Sequence, residues 1–447
     1  MEKQIKTAKG LIEGITQEGY TVYKGIPYAK PPVGDLRWKA PQEMEPWDGV
    51  LIADHFANIA EQDLPDPDHP FIGRYHKEFY ANPEFVPAMS EDCLYLNIWV
   101  PDHEQGEYLP VAFWLHGGGF SGGFSSEIEF DGEAYCKKGV ILVTVEYRCN
   151  IFGFLAHPWL DAENEKHISG NYGIFDQVAA LNWVYENISS FGGNPNNITV
   201  FGQSAGSMST QVLVSSELTE DKIAKAIMQS GISCEVGVGI TPTLLEEEEY
   251  GRFFVDKCAK VNSIEELRAI TTEQINEARR IFDAMMWQKG AGLVLVPNVD
   301  GYLLKDNVKK IWNNGAMKQI PYMAGTVIDD LLSKPEEIKE KKSGVLLEEC
   351  KRWSLKCESV YETPAYLYFF AHELPGDDWG AFHSSEIWYT LGSLNRCWRS
   401  KTEKDYELSE EMVTYWTNFM KTGKPAGEGT KAWEPFSKEN PFLYKFE

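Results

Sequence analysis

A chain of 447 residues that is 43% hydrophobic and 13% aromatic, with 14 Trp, carries enough apolar surface to bury a large core and line an apolar pocket, which excludes a disordered chain. Its formal charge of −25 disfavours nucleic acid and anionic membrane surfaces as partners, because both demand a basic footprint. The opening Met1-Glu2-Lys3-Gln4-Ile5-Lys6 is polar, without the apolar stretch of a signal peptide, and no run of about 18 apolar residues occurs anywhere, so a soluble, cytoplasmic protein with no membrane partner is expected.

The eight cysteines form no Cys-x-x-Cys unit, and no His-Glu-x-x-His is present, so neither a metal nor a disulfide framework is called for and most of the thiols are expected in the core. Lys309-Lys310 and Lys339 to Lys342 sit among Asn, Glu and Ser and read as solvated helix faces. No repeat, low-complexity tract or linker divides the sequence, so one unit over 1–447 is expected.

In chain order, the first clear element is Val111-Ala-Phe-Trp-Leu115, apolar throughout and ended abruptly by His116-Gly-Gly-Gly-Phe120. Val140 to Tyr147 is a second such run, rich in β-branched residues, and both read as strands buried on two faces of a mostly parallel sheet. Between Asn171 and Ile188, apolar positions Val178, Leu181, Trp183, Val184 and Ile188 recur at helical spacing and predict a helix that covers the sheet. Phe191 to Asn197 is dense in turn residues and precedes a short strand, Ile198 to Phe201. Further strands are expected at Ala224 to Met228, Tyr322 to Gly325 and Tyr366 to Ala371, and this alternation of strands with helices predicts an α/β fold.

Directly after the strand at 198 comes Gly202-Gln203-Ser204-Ala205-Gly206, a G-x-S-x-G elbow whose glycines allow a turn tight enough to raise the serine hydroxyl at its apex. Ser204 is therefore the candidate nucleophile. The loop Gly117-Gly118-Gly119 leaves a strand with its N–H groups bare, and Gly118, Gly119 and the N–H of Ala205 form the candidate oxyanion hole. A phosphate-binding loop is the competing reading, but no Gly-Lys-Ser/Thr follows.

With these motifs stand Tyr23-Lys-Gly-Ile-Pro-Tyr-Ala29, Ser90-Glu-Asp-Cys-Leu-Tyr-Leu-Asn97, Tyr147-Arg148 with Phe152-Gly-Phe-Leu155, Asn171-Tyr-Gly173 and Phe191 to Gly206, spread nearly end to end. Together they resemble the type-B carboxylesterases, the family of bacterial para-nitrobenzyl esterases, cholinesterases and bile-salt-stimulated lipases. The resemblance implies an α/β-hydrolase fold: a central mostly parallel sheet flanked by helices, with helical insertions around the active-site mouth. It implies an esterase that needs no cofactor and takes a small-molecule ester.

It also orders the catalytic residues as serine, acid, histidine. The acid falls in Gly325-Thr-Val-Ile-Asp329-Asp330, where counting from the glycine selects Asp330 over Asp329, with Asp300 next in line. The histidine falls in Gly380-Ala-Phe-His383, with His372 a weaker claimant, and His116 is expected to order the glycine loop. Ser230 matches a family position near these groups and reads equally as a strand-end turn; Gln203 is expected to support the site by hydrogen bonding. Two departures stand out. Relatives from oxidising compartments pair the cysteine of Glu-Asp-Cys-Leu with an earlier one, but Cys93 is the first here, and the interval from Asp330 to His383 is short for the family, which implies a more open or rebuilt rim. The same machinery fits amides, carbamates or thioesters. A catalytically silent binding scaffold is disfavoured by the intact motifs, and a lipase by the lack of a large apolar lid; acyl specificity and oligomeric state are not set by the sequence.

Overall fold

Strands without a polar face need cover on both sides, and the apolar runs at 111 and 140 find it in the middle of a ten-stranded sheet. The computed structural model describes residues 4–70, 72–236, 241–340, 344–427 and 429–447. In chain order the strands are β1 (Gln4–Lys6), β2 (Leu11–Glu13), β3 (Ile15–Gln17), β4 (Tyr20–Pro27), β5 (Val50–Ile52) and β6 (Tyr95–Pro101). They continue as β7 (Leu109–Leu115), β8 (Ile141–Val145), β9 (Gly193–Gln203), β10 (Lys225–Gln229), β11 (Tyr322–Val327), β12 (Tyr366–Phe370) and β13 (Tyr444–Phe446).

The large sheet runs β13-β12-β11-β10-β9-β7-β8-β6-β4-β3, while β1, β2 and β5 form a small sheet of their own. From β8 through β7 to β13 every neighbouring pair is parallel, and β6, β4 and β3 complete the other end antiparallel. This is the α/β-hydrolase arrangement, and in such sheets the carboxyl ends of the parallel strands open the crevice where ligands bind.

Helices α1 (Tyr172–Asn187), α2 (Ala205–Val214), α3 (Leu244–Phe253), α4 (Thr272–Gln288), α5 (Val345–Tyr361) and α6 (Glu403–Thr422) accompany the sheet. Helix α1 falls where the periodicity at 171–188 predicts it. Helices α3 and α4 belong to the long insertion between β10 and β11.

One expectation is corrected. The turn-rich stretch ends at Gly192, whose φ of 77° only glycine adopts easily, and β9 already begins at Gly193. Leu109 pairs with Gly193 and the next pair is Val111 with Ile198, so 194–197 bulge from the ladder while the Asn194 side chain accepts the Asn196 N–H. The turn chemistry is spent on a bulge inside the strand.

Among the described residues no helix is long and apolar enough to cross a membrane. Lys309 pairs with Glu235 and Lys310 with Asp306, and Lys339 ends a short helix; Lys341 and Lys342, like Met1 to Lys3, lie outside the described residues. All eight cysteines are free thiols and seven are buried.

Candidate active site

Strands β7 and β9 pair with Leu115 beside Gly202, and that closeness dictates the glycines of the elbow. A β-carbon on Gly202 would lie 2.5 Å from the Leu115 carbonyl oxygen, and one on Gly206 2.0 Å from the same atom. Between them Ser204 adopts φ 55° and ψ −124°, a conformation costing a side chain of order 1–3 kcal/mol. The surroundings hold it there: Ser204 N–H donates to the Gln229 carbonyl at 2.9 Å, and Met208 N–H donates to the Ser204 carbonyl at 3.0 Å to start α2. The hydroxyl stands half-buried at the apex and makes no hydrogen bond among the described residues.

Strands β11 and β12 are neighbours, so the loops leaving their carboxyl ends meet. His383 Nδ1 and Asp330 Oδ1 are 2.6 Å apart, both residues buried. The Asp330 carboxylate also accepts from the N–H groups of Leu331 at 2.8 Å and Val327 at 3.2 Å. A carboxylate at Nδ1 fixes the proton there and leaves Nε2 as an acceptor. That acceptor faces Gln203, whose Nε2 donates across 3.3 Å while its Oε1 accepts from Ser384 Oγ at 3.0 Å.

Asp329 faces the other way. Its N–H donates to the Ala381 carbonyl at 3.0 Å and its Oδ2 accepts the Ala381 N–H at 2.8 Å, clamping the loop that carries His383. Gly380 is required beside it: φ is 70°, and a β-carbon would lie 2.2 Å from Asp329 Oδ2. Asp300 accepts from the N–H groups of Tyr302 and Leu303 and from Asn171 Nδ2, and His372 Nε2 pairs with Asp405 at 2.8 Å, so neither joins His383. Ser230 N–H donates to the Gly325 carbonyl at 2.8 Å, but its buried Oγ has no partner among the described residues.

The glycine loop leaves β7 alongside the elbow. Gly118 and Gly119 have φ 102° and 63°, and a β-carbon on Gly118 would lie 2.1 Å from the Gly122 carbonyl. The N–H groups of Gly118, Gly119 and Ala205 donate to no loop or side-chain acceptor among the described residues. Residues that sequence reasoning did not single out pin the loop. Gln62 donates to the Gly123 carbonyl at 3.0 Å and accepts the Gly123 N–H at 2.8 Å; Asn150 donates its N–H to the Phe120 carbonyl at 2.6 Å and Nδ2 to the Ser121 carbonyl at 3.2 Å.

His116 lies beneath, stacked on Tyr147 with ring centroids 4.1 Å apart, its Nδ1 donating to the Gly117 carbonyl at 2.9 Å. Burial pushes its pKa down to about 4, so it holds the loop as a neutral ring. Tyr147 OH donates to the His116 carbonyl at 2.8 Å, and the next residue, Arg148, makes a buried two-bond pair with Asp176 of α1, each bond 2.7 Å. Behind His383, Tyr75 OH donates to its carbonyl at 3.4 Å, and Glu386 is fully buried, its pKa pushed up to about 7 by burial and by the Asp330 charge. Tyr147 stands inside a motif visible in the sequence, Asn150 lies between its two halves and Glu386 three residues past His383; Gln62 and Tyr75 lie in segments without a distinguishing pattern.

The model of the carboxylesterase family matches residues 1–353 and 351–447, together the whole chain. The chain belongs to the carboxylesterase family. It is a carboxylic ester hydrolase. This carboxylesterase is 33% identical to the para-nitrobenzyl esterase of Bacillus subtilis (strain 168) over 98% of its own length and 94% of that enzyme. It is 38% identical to the fumonisin B1 esterase of Sphingopyxis macrogoltabida over 72% of its length, which spans 55% of that protein. Among solved structures it superposes on a PNB esterase with a TM-score of 0.85 at 28% identity, covering 100% of this chain and 96% of that one. The carboxylesterase of Geobacillus stearothermophilus gives 0.78 at 28% identity, covering 99% and 96%.

Proposed function

We propose that this carboxylesterase works by acyl transfer through Ser204, with His383 as general base and acid and Asp330 as the acid that orients it. The observation that carries the reading is the 2.6 Å bond between Asp330 and His383 Nδ1, which leaves Nε2 an acceptor, held here by Gln203, the residue before the elbow serine. When an ester binds, Nε2 exchanges the weak 3.3 Å contact with Gln203 for the Ser204 hydroxyl. Catalytic hydrogen bonds commonly tighten only at that stage.

Ser204 Oγ attacks the ester carbonyl as its proton passes to His383 Nε2. The carbonyl oxygen becomes an oxyanion held by the N–H groups of Gly118, Gly119 and Ala205. Collapse breaks the bond to the alcohol, which leaves with the proton from Nε2, and a water activated by the same nitrogen then releases the acid and restores the serine. Each oxyanion donor contributes roughly 2.7–4 kcal/mol to the transition state. Gln203 acts as a positioning residue for the imidazole. The chain functions as one catalytic unit without a cofactor, and its eight free thiols support a reducing, cytoplasmic location.

Ser204→Ala is expected to abolish hydrolysis of para-nitrophenyl esters from acetate to palmitate while the melting temperature holds. A fluorophosphonate should add to one residue, found by peptide mass analysis at Ser204. Label on another residue, or residual turnover in the variant, removes Ser204 from the role.

A further inference from the structure

The N–H groups of the glycine loop are aimed by its carbonyls. A trans peptide points its C=O and its N–H in opposite directions, so whatever holds the carbonyl of one residue sets the N–H of the next. The Gly117 carbonyl accepts the His116 Nδ1–H at 2.9 Å, which fixes the Gly118 N–H. The Gly118 carbonyl accepts the N–H groups of Ser121 at 3.0 Å and Gly122 at 3.2 Å, which fixes the Gly119 N–H. The aim of Gly119 is therefore only as firm as the turn at 121–123.

That turn is held by the segment 61–63, and the segment is held by α4. Gln62 is buried, donates to the Gly123 carbonyl at 3.0 Å and accepts the Gly123 N–H at 2.8 Å. Asn150 Nδ2 bridges the carbonyls of Glu61 at 2.7 Å and Ser121 at 3.2 Å. On either side of Gln62 the chain is fastened to one helix. The Glu61 carboxylate accepts from Asn276 Nδ2 at 2.8 Å, and the Asp63 carboxylate accepts from Arg279 Nη2 and Arg280 Nη2, each at 2.8 Å. Arg279 is buried, and its Nη1 donates to Asp283 at 3.0 Å, so its guanidinium is already tied to α4 where it meets Asp63. The Asp63 side chain is 44% exposed, and an ion pair that open adds little to folding while it still fixes the direction of the chain.

We propose, on the Ser204 reading, that Asp63 and Arg279 are positioning residues for the oxyanion donors. Helix α4 holds Gln62 through them, and Gln62 holds the turn that aims the Gly119 N–H. They act through Gln62 and not on the substrate. A donor turned out of line weakens the transition state and leaves the bound ester as it was, so the link sets kcat and not KM.

The test cuts the link at its open end. In Asp63→Ala, kcat on para-nitrophenyl butyrate should fall about tenfold with KM within about twofold of the wild type. The inhibition constant of a trifluoromethyl alkyl ketone, whose adduct with Ser204 carries an oxyanion, should rise about tenfold, while the melting temperature stays within about 2 °C. Asp63→Asn keeps an acceptor for Arg279 and should lose less than about threefold. Arg279→Met keeps the aliphatic stem without a donor and should match Asp63→Ala in kcat and in the ketone. With Gln62→Ala already in place, Asp63→Ala should cost less than about twofold more, because both changes cut one chain of contacts. An unchanged kcat in Asp63→Ala, a loss confined to KM, no recovery in Asp63→Asn, or losses that add in the double variant overturn the link and leave the Ser204 reading in place. A ketone that binds Ser204→Ala as tightly as the wild type overturns the Ser204 reading instead.

Discussion

Asp329 and Asp330 are chemically identical neighbours, and the backbone divides them: one carboxylate reaches His383 Nδ1, the other the Ala381 N–H. Asp330→Asn keeps the shape but presents an amide to Nδ1, which loses the charge that stabilises the imidazolium and favours the wrong tautomer. A fall of about 10⁴ in kcat with an unchanged melting temperature is expected. Asp329→Ala strands the Ala381 N–H and loosens the histidine loop, so it should cost about 1–3 kcal/mol of stability and less than tenfold in kcat. Steady-state kinetics and thermal melts on the two variants decide the matter, and the reverse pattern would transfer the acid to Asp329.

At the scale of elements, the glycine loop works because two layers hold it: Gln62 and Asn150 at its rim, and the His116–Tyr147 stack below. Gly118→Ala forces a β-carbon against the Gly122 carbonyl in a φ that alanine avoids, so the loop must move and its N–H groups lose their aim. About 10²–10³ should be lost from kcat with little change in KM, measured on a para-nitrophenyl ester; a change confined to KM would show that the loop binds substrate without stabilising the oxyanion.

These elements differ in how well the sequence announces them. Strands β7, β8 and β9 and helix α1 are legible because burial on both faces or on one stripe imposes a periodicity, and the elbow because only glycine fits beside Leu115. The Ser90 to Asn97 motif is legible for a similar reason: Asn97 accepts the Gly25 N–H at 2.9 Å and donates to Thr144 Oγ1 at 3.0 Å, uses only this residue type serves. The bulge at 194–197 is not, since turn residues mark it as they would mark a loop. Nor are Gln62 and the particular partners that Gln203 and Asp329 take, because each depends on a group far away in sequence that no local pattern names.

For the whole molecule, buried acids and surface charge act in the same direction on stability. Burial pushes the carboxyls of Glu146 and Glu247 up to about 8 and that of Glu386 to about 7. Such a group has a folded pKa above its unfolded value, so between about pH 4.5 and the folded pKa the native state holds a proton that the unfolded chain has released, and stability falls as pH rises through that window. Each costs at most about 1.4 kcal/mol per pH unit there. Asp405 behaves oppositely: although burial opposes it, hydrogen bonds from Thr402, Tyr389 and His372 hold its pKa well below the usual range, and the stability it supplies is lost only in strong acid. The formal charge of −25 adds self-repulsion that grows as the remaining carboxyls ionise. The melting temperature should therefore peak on the acid side of neutrality and fall by about 3 °C or more between pH 6 and pH 8.5. Salt separates the two contributions, since it screens the surface charge and not the buried carboxyls. Calorimetric scans at pH 8.5 should show added salt recovering part of the loss, and Glu146→Gln, whatever it costs by setting an amide against the N–H of Ala60 or Ser125, should make the remaining loss between pH 6 and pH 8.5 smaller; a profile that rises toward pH 8.5 would mean that these carboxyls are ionised in the native state.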